Sequence, residues 1–361
     1  MPSALVNAGF WRDRKVLITG HTGFKGGWLA LWLGSLGAKV HGFSLAPAAE
    51  PNFFTVAQVG EGLASHTIGD IRDLGQLTHA LQTAAPEIVL HLAAQSLVRT
   101  SYDDPVQTYA TNVLGTVHVL EAARQCSTVR AIVNVTTDKC YENREWVWPY
   151  RESDPLGGHD PYSSSKACAE LVTSAYRRSF LCESGVAIAS ARAGNVIGGG
   201  DWAVDRLLPD FFRAAQAGRP MQVRHSQAIR PWQHVLEPLC GYLLLAEQLL
   251  EKGQALAEPW NFGPIEADAR SVQWLLSRLV TLMPGTSWRQ LGTEQGHEAG
   301  TLKLDSAKAR SRLNWSPRWS LTEALDKTVE WHQAWVAGAQ MRGVSVAQIT
   351  AHQEALEERV P

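Results

Sequence analysis

"VLITGHTGFKGGWLALWL", residues 16–33, reads as a strand, a turn and a helix in quick succession. Four apolar or β-branched residues come first, then Gly20, Gly23 and Gly26 in steps of three, then an apolar run of helix formers. Glycines at such a junction let the turn tighten and the backbone approach a ligand, while the free N–H groups of the helix start can hold a diphosphate. A glycine-rich turn elsewhere is an ordinary connection. At the first strand–helix junction of an alternating chain it signals a dinucleotide. Gly20, Gly23, Phe24 and Gly26 are therefore candidate cofactor-binding residues, and Lys25 adds a cation to the same turn.

The alternation continues outward from that stretch. "KVLIT" at 15, "KVHGFSL" at 39, "HTIGD" at 66, "EIVLHLA" at 87, "AIVNVTT" at 131 and "VAIASARAGNV" at 186 read as strands. Between most of them lie segments with apolar residues at helical spacing, such as "LGQLTHALQTAA" from Leu74. "EIVLHLA" is nearly continuous in its apolar character, as a strand buried on both faces requires. The expected fold class is α/β: a doubly wound parallel Rossmann sheet over residues 1–192, followed over 193–361 by a smaller C-terminal substrate-binding domain. "PWNFGP", 259–264, is assigned as one more strand returning to the first sheet, and the long amphipathic run Val235–Glu251 falls in the second part. The last ~25 residues read as an appended helix or a loose tail.

Composition narrows the function classes. A chain of 361 residues has room for two compact units. Lys plus Arg number 33 against 35 Asp plus Glu, a formal charge of −2, which supplies no footprint for nucleic acid or an anionic membrane. The five cysteines form no CxxC pair and suggest neither disulfides nor a structural metal, so reducing cytoplasm is the expected compartment. The most apolar window, from Trp28, is shorter than the roughly 20 residues a bilayer demands, and no signal-peptide pattern stands at the N-terminus.

"DPYSSSKACAE" places Tyr162 and Lys166 on one face of a helix. An ammonium beside a phenol is expected to lower a pKa that starts near 10, making a base for alcohol oxidation. YxxxK alone is common by chance. Here it follows the strand "AIVNVTTDK" by one loop, and that strand ends in Thr137, Asp138 and Lys139. Strand propensity alone explains a threonine there, and an Asp–Lys pair is ordinarily a solvated loop edge.

The GxxGxxG turn, Thr137, Tyr162 and Lys166, in this order and on these elements, resemble the extended short-chain dehydrogenase/reductase family. The resemblance implies NAD as cofactor, with Asp70 and Ile71 of "GDIRD" at the adenine, Ala93 of "HLAAQS" offering backbone to the cofactor, and Gln95 at the substrate. It also implies that Asn112 shapes its helix and that Thr137 shares a substrate hydroxyl proton with Tyr162; His91, inside its strand, reads as a packed residue rather than a catalyst. The second strand ends "VHGFSLAP" with no acid at the usual ribose position, leaving Ser44 there. NAD against NADP stays open on that position, although no arginine waits for a 2′-phosphate.

Longer segments, "TTDKCYENREW", "ARAGNVIGGGDWAVDRLLPD" and "RPWQHVLEPL", resemble the sugar-nucleotide 4,6-dehydratases of this family, in particular the subgroup acting on CDP-glucose, over residues 10–335. That resemblance implies a lyase in which hydride leaves sugar C4, water is lost across C5 and C6, and the hydride returns to C6. Asp138 matches the acid at the C6 hydroxyl. Lys139 stands where most dehydratases keep a glutamate, either as a neutral base at C5, which requires a pKa fall of about three units, or as a fixed cation for the enolate. Asn195 and Arg230 match positions holding the sugar-nucleotide diphosphate, and Arg206 is a candidate near the nucleotide, its plainer reading a surface arginine. Rival readings are a C4 epimerase or reductase, which need no acid at C6, and a non-catalytic NAD-binding scaffold. The family further implies a homodimer paired through residues 105–124 and 162–181.

Overall fold

The computed structural model of the chain describes residues 5–291 and 300–355. Seven strands, β1 Lys15–Thr19, β2 Lys39–Ser44, β3 Ser65–Ile68, β4 Ile88–His91, β5 Ala131–Val135, β6 Ala187–Ala193 and β7 Pro259–Phe262, form one parallel sheet in the order β7-β6-β5-β4-β1-β2-β3. Val16 of β1 pairs with Val40 of β2 on one side and Ile88 of β4 on the other. The strand order reverses at β1, so the crevice beyond the carboxyl ends of β1 and β4 is the switch point where ligands of such sheets bind. The stretch at 259–264 does return: Trp260 pairs with Ala191 of β6.

Helices cover both faces: α1 Phe24–Ser35, α2 Leu74–Ala84, α3 Gly115–Arg124, α4 Pro161–Tyr176, α5 Leu207–Gln216, α6 Leu236–Lys252, α7 Val272–Leu282, α8 Leu321–Val336 and α9 Met341–Glu354. One core lies between the sheet, α1 and α6, and a second is formed by the other face with α2 and α3. The run "GGWLALWL" is buried all round, because α9 packs on the side of α1 that faces away from the sheet. Trp28 and Trp32 are fully buried, and the Trp32 ring meets His352 of α9 edge-on at 5.6 Å. Each large aromatic removed from water contributes on the order of 3 kcal/mol. The tail expected from the sequence is thus a docked helix as far as residue 355, and residues 356–361 lie outside those described.

Beyond β6 the chain changes layer more than once. Val196–Ile197 pairs with Gln233–His234, Met221–Val223 with Trp288–Gln290, and Ile229–Pro231 with Ala269–Ser271. These short ladders, with α5, α7 and α8, enclose a third apolar core over the carboxyl ends of the strands. The run 235–251, assigned from sequence to the second part, instead packs as α6 against β5 and β6. Its apolar positions are buried on nearly every side, which suits the sheet face better than a small cap. No helix among the described residues is long and apolar enough to cross a membrane.

Candidate active site

The glycine turn leaves an open anion site. Helices α2, α4, α7 and α8 are capped by the side chains of Asp73, Asp160, Ser271 and Ser320, whereas the residue before α1 is Gly23, which has none to offer. Its first N–H groups therefore face the cleft with the positive end of the helix behind them. Gly20 sits at φ +81°, and a Cβ there would lie 2.8 Å from the Ala93 nitrogen. A Cβ on Gly26 would fall 2.0 Å from the Gly20 carbonyl oxygen. Any side chain at these positions pushes the turn apart.

From this turn one continuous cleft of about 1600 Å³ runs along the carboxyl ends of the strands and under the short ladders. Single small-molecule pockets hold about 300–1,000 Å³, so the cleft has room for two ligands end to end. Asp70 and Ile71 line one end, Ala93 the middle, and Asn195, Arg206 and Arg230 the other. Asp70 is held below its ordinary carboxylate value by bidentate bonding to Arg72, which also neutralises the nearest cation at that end. Ser44, expected at the ribose, lines the cleft with its hydroxyl already bonded to Thr22 at 2.8 Å.

The floor of the middle section is built by a buried polar network. Thr19 Oγ1 contacts His91 Nδ1 at 2.7 Å and accepts from the Leu92 and Ala93 N–H groups, while His91 Nε2 reaches Thr116. Burial pushes the His91 imidazole down to about 3, so it is a neutral packing residue. Asn112 lies in a π turn, Ala110–Leu114, a local widening that recurs at functional sites. Its amide donates to the Gln95 carbonyl and to Ser165 Oγ, tying the loop after β4 to α4. Gln95 does not line the cleft. Its side chain bonds Leu97 and Thr108 instead, because the loop must satisfy its own backbone first.

At the centre, Thr137, Asp138, Lys139, Tyr162 and Lys166 converge on the same wall. Thr137 caps a single 3-10 turn, Asp138–Cys140, and its hydroxyl donates to Asp138 Oδ1 at 3.0 Å. Asp138 is 1% exposed and its Oδ2 has no partner among the described residues, so this pair is no solvated loop edge. Burial raises its carboxyl above the ordinary range against the charges of Lys139, Arg230 and Lys25 and the Thr137 bond. Lys139 is half-buried and faces the cleft.

Tyr162 departs from expectation. Burial pushes its phenol up to about 12, opposed by a hydrogen bond with Thr137. The neighbouring ammonium does not bring it down: Lys166 Nζ lies 3.5 Å from the Val135 carbonyl, and its own value falls to about 8 through burial. Lys25, on α1, is driven down to about 7, first by burial and then by Arg206. Arg206 is no free surface arginine; it begins α5, bonds Asp201 at 2.9 Å and reaches Ser96 Oγ across the cleft at 2.9 Å. Asp201 and Ser96 were not singled out from sequence, although an acid after "VIGGG" at a loop–helix junction was a readable signal. Arg230 is buried, donating to the Ile229 carbonyl at 2.9 Å, with its charge felt by Asp138.

Residues 17–261 match the family model described as GDP-mannose 4,6 dehydratase. A CDP-glucose 4,6-dehydratase of Salmonella typhimurium is 49% identical over 357 residues, covering 97% of this chain and 99% of the relative. A dTDP-glucose 4,6-dehydratase of Xanthomonas campestris is 27% identical, covering 89% of this chain and 95% of its own. Among solved structures, the dTDP-glucose 4,6-dehydratase DesIV of Streptomyces venezuelae, with NAD bound, superposes with a TM-score of 0.76 at 26% identity, covering 91% of this chain and 99% of that one.

Proposed function

From a chain that belongs to the GDP-mannose 4,6-dehydratase family, within the extended short-chain dehydrogenases/reductases, we infer an NAD-dependent nucleotide-sugar 4,6-dehydratase that converts CDP-glucose to CDP-4-keto-6-deoxyglucose. The observation that carries the reading is Asp138, a carboxyl buried beside Thr137 in the same wall as Tyr162 and held toward its protonated form. An epimerase or reductase has no use for a proton donor at C6.

The capless start of α1 and the glycines at 20, 23 and 26 suit the cofactor diphosphate, and Asp70, Ile71 and Ala93 its adenosine side. Bound NAD supplies the hydride acceptor and a positive charge, and returns the hydride within one turnover. Thr137 and Tyr162 take the C4 hydroxyl proton. Burial raises the phenol, and the Thr137 hydrogen bond and the Arg206 charge oppose that rise. Asp138 then donates to the departing C6 hydroxyl. Lys139 serves at C5, as the neutral base that takes the C5 proton, or as a cation facing the enolate while that proton passes to another group or to water. Arg206, Arg230 and Asn195 hold the substrate diphosphate, and the short-ladder region acts as the substrate domain over the Rossmann layer.

The same reading includes a homodimer. Tyr102, Val106, Tyr109 and Leu114, with Leu171 on α4 and Phe180 beyond it, are exposed apolar residues on adjacent helices, the kind of patch a second copy would cover. A cytoplasmic location is consistent with the cysteine usage.

CDP-glucose deuterated at C4 is the direct test. The product should have lost one water and carry the label at C6 with no net NADH formed; label washed into solvent, or no dehydration, overturns the assignment. Lys139→Ala should then stall the enzyme with a 4-keto sugar and bound NADH. Rescue of elimination by small amines in proportion to their basicity marks Lys139 as the base, and absence of rescue marks it as the fixed cation.

A further inference from the structure

Behind the catalytic wall lies an ion pair that does not itself line the cleft but bonds two residues that do, Thr136 and Tyr141. Glu170, on α4 one turn past Lys166, and Arg192, in β6, are both about 3% exposed at the side chain and meet at 2.8 Å. Arg192 is a charged residue in a strand otherwise made of small or apolar residues buried throughout. Glu170 Oε2 also accepts from Ser190 Oγ at 2.6 Å, and its Oε1 from the Thr136 hydroxyl. The other amino group of Arg192 donates to the Tyr141 hydroxyl at 2.8 Å, with the guanidinium over the Tyr141 ring. Tyr141 passes the chain of bonds on to Asn261 of β7 at 2.7 Å.

Thr136 and Tyr141 flank the segment Thr137–Cys140. The turn that carries Thr137, Asp138 and Lys139 is thus an arch, and each foot of the arch stands on one member of the same buried pair. Glu170 shares a helix with Tyr162 and Lys166, so the pair also fixes the arch relative to the helix bearing the other half of the machinery. Burying two charges is costly unless geometry and further bonds compensate, and replacing such a pair with apolar side chains is often neutral for stability. A pair that instead spends its remaining bonds on two side chains bracketing the reacting residues has a use beyond stability.

Resting on the dehydratase reading, we propose that Glu170 and Arg192 are positioning residues for elimination: they hold Asp138 and Lys139 in register with the sugar that Tyr162 and Lys166 oxidise. Loosening either foot displaces the acid and the Lys139 amine while leaving Tyr162 and Lys166 on an intact helix. Oxidation then outruns elimination, and the enzyme accumulates NADH and 4-keto sugar that the parent passes on at once.

Thr136→Val and Tyr141→Phe each remove one tether without unpairing a charge, and both should fold; Glu170→Gln is the stronger perturbation. Purified enzyme is mixed with CDP-glucose, absorbance at 340 nm is followed in a single turnover, and dehydrated product is measured by mass. In the two mild variants oxidation should stay within about 3-fold of the parent while elimination falls about 10- to 100-fold, the cost of a sub-ångström to 1 Å misplacement, with a transient of NADH absent from the parent. Equal losses in both half-reactions, or none in either, overturn the positioning role. A parent enzyme that fails to dehydrate CDP-glucose overturns the functional reading instead, so the two failures are distinguishable.

Discussion

Asp138 and Glu170 are both almost completely buried acids serving one site, and their carboxyls are shifted in opposite directions. Burial raises both. Glu170 is nevertheless brought below its ordinary value by the Arg192 guanidinium and by bonds from Arg192, Ser190 and Thr136. Among the described residues Asp138 receives one hydroxyl bond on Oδ1 and none on Oδ2. The difference lies in local bonding, since desolvation is common to both. One acid is finished as a fixed anion for architecture. The other is left unfinished, which is what a proton donor requires.

The comparison breaks most visibly in kinetics. Asp138→Asn should cost elimination about 10²- to 10⁴-fold, measured as dehydrated product, while NADH formation on mixing with CDP-glucose persists. Glu170→Ala should act first on the fold. Removing one member of a buried pair strands the other and costs about 3–5 kcal/mol, read from urea unfolding at pH 7. Equal stability of that variant and the parent would place Glu170 and Asp138 in the same class after all.

Stability against pH gives the two acids opposite signs. Glu170, depressed in the fold, contributes stability that is present above about pH 4 and lost as pH falls through its folded value. Asp138, raised in the fold, contributes stability that is full below about pH 4 and lost as pH rises through its folded value. Asp138→Asn should therefore raise the melting temperature at pH 7, with the gain vanishing near pH 4. Glu247 on α6 offers the intermediate case. Burial pushes it up to about 7 although the Asn7 N–H and Trp11 Nε1 donate to it at 2.9 and 2.6 Å. Neutral donors only partly offset burial, so Glu247→Gln should raise the melting temperature by about 1–2 °C at pH 8 and not at all at pH 4.

Much of this was legible in the linear chain, and the boundary of legibility is physical. The glycine turn, the alternating strands and the Thr137, Tyr162, Lys166 order depend on local spacing, and the cleft gathers those residues together. Ser44 and Gln95 were assigned by position, but their side chains are taken by Thr22, Leu97 and Thr108, choices made by folding rather than by spacing. The raised phenol of Tyr162 was missed because an i to i+4 lysine says nothing of desolvation, which depends on the whole wall. Glu170 and Arg192 were missed for another reason: their signal was present, an acid four residues after Lys166 and an arginine inside a buried strand, but only the adjacency of α4 and β6 joins them.

The docking of α9 on α1 has a consequence for biosynthesis. Helix α1 leaves the ribosome well ahead of its cover: the surface that closes its outer side, with Ile349 and His352, is made roughly 300 residues later. At ordinary elongation rates of about 5–20 residues per second, Trp32 and its neighbours wait on the order of 15–60 s for their cover. The nascent chain therefore carries an unclosed apolar surface for as long as those residues take to be made.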